Sequence, residues 1–296
     1  MPAILSMFLC MLLQGCCLGS NSIIQKKAQQ GRINALKDSF VYTTMLAVCQ
    51  AVIYMVLPPY QAFPPAPGFY AYTVTFSVGF FVQLALFMTA FRLGPATMTS
   101  AIRNLNMLVT ITLGLLLWGE KLTWFKIIGL AIFITAIFLM NKGSYSVDGK
   151  AQKISTRWLV TSIALLLCCG TCGSISKQVM LNYANTEKIY LLTYNLIVIV
   201  IGIPLCIMHR KKALELIRDK RFVSLVAVSA ALMATADFIY VNFVPKYDSA
   251  FFMPLSSTIS MISVMVFSRI FLKEKITGRM LLAAGCCIVA VIILSQ

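Results

Sequence analysis

Ten long apolar runs, separated by short polar breaks, set the pattern of this chain. They fall at about 3–23, 39–58, 69–91, 96–117, 124–141, 158–181, 189–208, 222–243, 249–270 and 278–295. A helix crossing the hydrocarbon needs roughly 20 mostly apolar residues. Runs of that length, punctuated by Pro, Gly and charge, predict an all-α membrane protein with ten transmembrane helices. The tightest connections are Arg92–Pro95 and Lys246–Asp248. The first run carries Leu13-Gln14-Gly15-Cys16, a loose match to a lipoprotein cleavage box. A secretory signal needs a basic n-region, yet the first charge is Lys26, after the run. The segment is therefore expected to remain as the first span.

Composition sharpens this. Of 296 residues, 59% are hydrophobic and 11% charged, against about 25% charged in an ordinary soluble domain. A water-soluble globule is excluded. The net charge of +16 sits in the breaks between runs, with no basic stripe interleaved with aromatics, so nucleic acid is not an expected partner; membrane lipid is. The ten cysteines lie mostly inside runs. Cys169-Gly-Thr-Cys172 has metal or redox spacing, but the single histidine, His209, and the lack of a second such pair leave no tetrahedral site. No metal and no cofactor are expected, and these thiols read as small apolar groups.

The chain also repeats itself at an offset of 154. Gly19-Ser20 with Ser22 meets Gly173-Ser174 with Ser176, and Met107 meets Met261. Glu120-Lys121 with Thr123 meets Glu274-Lys275 with Thr277, and Ala136 meets Ala290. The halves are 1–141 and 157–296, joined by a polar loop at 142–156. Each holds five runs. An odd number sends the second half into the bilayer from the opposite side, so two inverted five-helix repeats around a central cavity are expected. That architecture is characteristic of secondary transporters, which bind substrate between the repeats near the midplane.

The residues carry a resemblance as well. Gly19-Ser20-Asn21, Gly119–Thr123 with Gly129 following, and Lys273–Thr277 at the same place in the second half resemble the EamA-like branch of the drug/metabolite transporter superfamily. The resemblance covers nearly the whole chain. It departs at Leu18, where the family often has Trp, and at Ala283, which stands opposite Gly129. It implies carriage of small metabolites or drugs, often as export, without naming a substrate. Locally, Thr123 and Thr277 are placed to cap the helices that follow. Glu120 and Glu274 lie by those positive helix ends and Lys121 and Lys275 reach toward headgroups.

Orientation follows from where Lys and Arg fall. Nineteen lie in the odd-numbered connections, among them Lys26, Lys142, Arg210 and Arg269, and four in the even ones, Lys121, Lys126, Lys188 and Lys246. The count puts both termini outside the cytoplasm, in the plasma membrane. Members of the family more often keep their termini inside, so count and resemblance disagree.

Three charged groups lie well inside runs, four or more residues from either end: Arg103, Lys177 and Asp237, the last being the only acid so placed. An ion at the bilayer centre costs at least about 2.5–3.5 kcal/mol, so it faces a cavity or a partner. Lys177 and Asp237 come out at matching depths, roughly 6 and 9 Å, on one side, and Arg103 roughly 11 Å from the other. The first two are expected to form an ion pair or gate, with Asp237 alternatively a protonatable coupling group. Arg103 is expected to hold a carboxylate or phosphate bidentately. Polar neighbours complete the expected substrate site: Asn104, Asn106, Gln83, Ser257, Thr258, Tyr240 and Gln14. Phe76, Phe80, Phe81 and Phe87 are expected to pack or face lipid, and Trp118, Trp124 and Trp158 to anchor at interfaces.

The expectation is a secondary transporter moving a small polar, anionic or zwitterionic metabolite, or a drug, by alternating access, coupled to a proton or sodium gradient. The alternative is a channel or a non-transporting scaffold. No nucleophile–base pair or metal motif supports an enzyme.

Overall fold

Within hydrocarbon a backbone must satisfy its own polar groups, and the apolar runs do so as helices. A computed structural model describes residues 2–29, 36–57, 66–94, 99, 102–103, 105–119, 123–143, 146–147, 150–151, 155–247, 249–273 and 278–294. Its helices are α1 (Pro2–Gln29), α2 (Leu36–Val56), α3 (Pro67–Leu93), α4 (Asn106–Leu117) and α5 (Trp124–Gly143). After the linker come α6 (Thr156–Asn182), α7 (Glu187–Met208), α8 (Arg210–Arg218), α9 (Lys220–Phe243), α10 (Ser249–Phe267) and α11 (Gly278–Leu294). The only strand pairing among the described residues is a two-residue ladder in the linker, Ser146–Val147 against Lys150–Ala151.

Seven of the described helices are long and apolar enough to cross a membrane: those spanning Phe8–Gln29, Asp38–Val56, Pro67–Leu93, Thr156–Asn182, Glu187–Met208, Lys220–Lys246 and Phe251–Leu272. Three shorter apolar helices, Asn106–Leu117, Trp124–Ala136 and Leu281–Ala290, lie within the other three expected runs. The extra element is α8, which buries Ala213 and Leu216 while Arg210, Lys211 and Lys212 crowd its first turn. Asp219 ends it and caps α9, its carboxylate accepting from the N–H groups of Arg221 (2.9 Å) and Phe222 (3.2 Å). Thr123 caps α5 as expected, accepting from Lys126 N–H at 3.4 Å. The matching cap at Thr277, with Glu120, Lys121, Glu274 and Lys275, lies outside the described residues.

The principal packings obey an exchange rule. Helix α1 lies against α9 and α10, and α6 lies against α3 and α4. Helix α2 packs on α7, α4 on α10 and α5 on α11. Swapping each helix of the first half for its counterpart in the second (α1 with α6, α2 with α7, α3 with α9, α4 with α10, α5 with α11) returns the same set. Glycine makes the closest of these contacts possible, because it lets helix backbones approach. A Cβ on Gly19 would lie 2.4 Å from Ser263 Cβ on α10, and one on Gly170 would lie 2.4 Å from Val109 Cβ on α4.

Buried polar groups tie the helices together. The Tyr42 hydroxyl is 2.6 Å from Ser229 Oγ, and Ser229 in turn donates to Asn21 Oδ1, linking α2, α9 and α1. Tyr54 donates to the Ala234 carbonyl at 3.1 Å. One anchor expectation is corrected here. Trp124 is 79% exposed, as a lipid-facing anchor should be, but Trp158 is 2% exposed. Its indole N–H donates to Thr99 Oγ1 at 3.2 Å and its ring fills the space beside Gly94. Trp118 donates its N–H to Gln178 Oε1. All ten cysteines are free thiols.

Candidate functional site

Helical spacing brings the polar residues of several spans to one hollow. Residues three, four or seven apart share a helix face. On α3 these are Phe76, Phe80 and Gln83; on α6, Cys169, Cys172, Gly173 and Ser176; on α9, Met233, Asp237 and Tyr240. Tyr190 and Tyr194 come from α7, Gln14 from α1, Asn106 from α4, and Ser256, Ser257 and Ser260 from α10. Arg103 enters from the short helical stretch before α4. The half-open cavity they line has a volume of about 150 Å³.

One end of it is acidic. Asp237 Oδ2 accepts from the Tyr194 hydroxyl at 3.1 Å and from Gln50 Nε2 at 3.3 Å. Aromatic rings back this carboxylate: Tyr194 packs on Phe76 and Phe80 with centroids 5.0 and 5.3 Å apart, and Tyr190 on Phe76 at 5.4 Å. Tyr240 donates to the Gly173 carbonyl at 3.2 Å, and Ser256 donates to Gln14 Oε1 at 3.3 Å. The cation of the cavity is Arg103, whose guanidinium lies 4.7 Å from the Phe87 ring centroid. No carboxylate of a described residue forms an ion pair with it.

Of the expected site residues, Arg103, Asn106, Gln83, Ser257, Tyr240, Gln14 and Asp237 all line this cavity. Asn104 lies outside the described residues. Thr258 does not line it; the side chain is buried, with no hydrogen-bond partner for its hydroxyl among the described residues. The expected ion pair between Lys177 and Asp237 is not made. Lys177 turns away to the end of the bundle, donating to the Tyr247 carbonyl at 3.3 Å and lying 4.7 Å over the Trp118 ring. Phe76 and Phe80 line the cavity rather than lipid, while Phe81 stacks on Phe40 at 5.3 Å. The thiols of Cys169 and Cys172, read as inert packing, also line it.

The offset of 154 reappears in the cavity wall. Gln83 and Asp237 are equivalent positions, as are Arg103 and Ser257, Asn106 and Ser260, and Leu18 and Cys172, and all eight residues face the same hollow. The two halves therefore contribute matching faces, one bearing the cation and the other the acid.

A bundle of apolar helices around a polar cavity defines an integral, multi-pass membrane protein. Its sequence matches the EamA-like transporter family twice, over residues 5–142 and 156–296. The chain belongs to that family, a set of membrane transporters within the drug/metabolite superfamily. No curated protein matches the sequence. A solved crystal structure shares the fold with a TM-score of 0.69 over 98% of each chain, at 11% identity. That likeness carries the fold and no substrate.

Proposed function

We propose that the chain is a ten-span secondary transporter, built as two inverted five-helix repeats, that moves a small polar, anionic or zwitterionic metabolite by alternating access. The observation that carries this reading is the cavity wall, where residues 154 positions apart meet across one polar hollow. Midplane binding between repeats related by exchange is how inverted-repeat carriers work. Arg103 receives the anionic group of the substrate, and a proton or sodium gradient drives the cycle through Asp237.

The lysines at the helix ends support the inversion. Lys26, at the end of α1, donates to the carbonyls of Phe91 and Gly94 at the end of α3, and Lys27 lies 4.7 Å over Phe271 beyond α10. Lys177, near the end of α6, donates to the Tyr247 carbonyl beyond α9 and covers Trp118 at the end of α4. A path that crosses the bilayer ten times brings the ends of α1, α3 and α10 to one face and those of α4, α6 and α9 to the other. Each repeat thus supplies one lysine clamp, on opposite faces.

The test is counterflow. Proteoliposomes preloaded with a metabolite mixture should accumulate labelled substrate transiently and saturably. Flux that never saturates identifies a channel, and absence of flux for every solute identifies a scaffold; either overturns the reading. The charge count places both termini outside the cytoplasm. A C-terminal fusion to a reporter active only in the cytoplasm should accordingly be silent, and a bright one reverses the orientation.

A further inference from the structure

We propose that the aromatic end of the cavity is a subsite for a protonated amine, so that the transported molecule carries an ammonium group seated between Asp237 and the rings of Tyr190, Tyr194, Phe76 and Phe80. This rests on the transporter reading and goes beyond it by assigning the second charge of the ligand and its location.

Three independent observations point there. Both hydrogen bonds that Asp237 accepts go to the same oxygen, Oδ2. Oδ1 receives none from any described residue, although a carboxylate has about four lone-pair sites to fill. A carboxylate without a paired charge is costly inside a membrane, and Asp237 is half-buried there. No cation of a described residue forms an ion pair with Asp237, and Lys177, the one expected to, points elsewhere. Finally, Tyr190 is fully buried, lines the cavity, and has a hydroxyl with no hydrogen-bond partner among the described residues. An ammonium offers three donors, enough to reach Asp237 Oδ1 and the Tyr190 oxygen together.

The rings decide the class of cation. A metal ion asks for several oxygen ligands, and the described residues hold no group of three or more His, Cys, Asp or Glu side chains. An organic ammonium is instead attracted to aromatic faces within about 6 Å, and four rings crowd this end with neighbouring centroids 5.0–5.9 Å apart. A cavity of about 150 Å³ is of the size that admits a benzene ring. The fitting ligand is therefore a compact amine with an apolar body, and Arg103 takes an acidic group when the molecule has one.

The experiment compares three probes on the purified full chain by calorimetric titration: phenethylamine, 2-phenylethanol and 3-phenylpropanoate. Phenethylamine should bind at least about tenfold more tightly than the alcohol of the same shape, because a buried charge pair outweighs a neutral contact. Asp237→Asn should erase that preference. Tyr190→Phe, which removes an unpartnered hydroxyl and leaves the packing intact, should weaken the amine severalfold without lowering the melting temperature. Equal binding of amine and alcohol, or an amine preference that survives Asp237→Asn, overturns the subsite. Binding of the acid probe alone, lost in Arg103→Ala, also overturns it but leaves the transporter reading standing. Failure of all three probes, in protein that also shows no counterflow, removes both.

Discussion

Arg103→Ala should abolish uptake and leave the protein folded in the membrane. The guanidinium lines the cavity, stands over Phe87 and makes no ion pair with a described carboxylate. A charge held there is expensive for the fold, so on the proposed reading its presence reflects what it binds rather than what it stabilises. Truncating one partner of a buried charge pair costs about 2–5 kcal/mol, and each 1.4 kcal/mol is tenfold. Uptake in proteoliposomes should fall by at least about thirtyfold. Membrane insertion and melting temperature should be close to those of the unaltered protein, because no described carboxylate loses an ion-pair partner. Arg103→Lys keeps the charge but loses the planar fork that grips a carboxylate at two points, so it should recover only part of the activity. Uptake that persists in Arg103→Ala would remove this residue from the substrate site.

The helices and most of the polar wall were legible in the sequence for the same reason. Lipid penalises polar groups so strongly that Gln14, Gln83, Arg103, Asn106 and Asp237 mark the inside of the bundle merely by lying in apolar runs. The repeat was legible because equivalent positions keep similar residue types and places, as Gln83 and Asp237 do in lining the cavity from α3 and α9. What stayed hidden was rotation about the helix axis. Lys177 and Asp237 come out at similar depth, yet depth says nothing of azimuth, and the two side chains leave their helices toward different neighbours. Ser257 and Thr258 differ by one residue, which is 100° on a helix; the first faces the cavity and the second does not.

Apolar and aromatic wall residues were hidden for a further reason. In a soluble protein an apolar stripe marks the buried face, but in a membrane both faces are apolar, so Phe76 and Phe80 carry no label. Their partners on α7, Tyr190 and Tyr194, have the same i, i+4 spacing, and that pairing of two aromatic ladders was the available signal. Helix α8 escaped because a run as polar as Arg210–Arg218 reads as a loop until its buried residues, Ala213 and Leu216, are seen to lie three apart on one face.

The second large effect concerns the glycines that seat the first helix of each half. A methyl group on Gly19 would lie 2.4 Å from Ser263 Cβ, 3.0 Å from Val264 N and 3.1 Å from Ser263 C. On Gly170 it would meet Val109 Cβ at 2.4 Å and the Asn106 carbonyl at 2.8 Å. Backbone atoms cannot rotate aside, so Gly19→Ala must push α1 from α10 and Gly170→Ala must push α6 from α4. Overpacking of this kind costs roughly 1–3 kcal/mol, and with Leu in place of Ala the helices cannot seat at all. Both Ala variants should melt well below the unaltered protein, and both Leu variants should fail to give a monodisperse peak on gel filtration. Transport should fall with them, since parting α1 from α10 stretches the 3.3 Å bond between Gln14 and Ser256 at the cavity wall. Gly285, on α11, has nothing within 4 Å of the place a Cβ would occupy, and Gly285→Ala should melt unchanged or slightly higher. The decisive feature is the parallel between Gly19 and Gly170, which stand in opposite halves, one helical turn from equivalent positions. If one Ala variant collapses while the other melts like the unaltered chain, the two halves are not packed by the same rule.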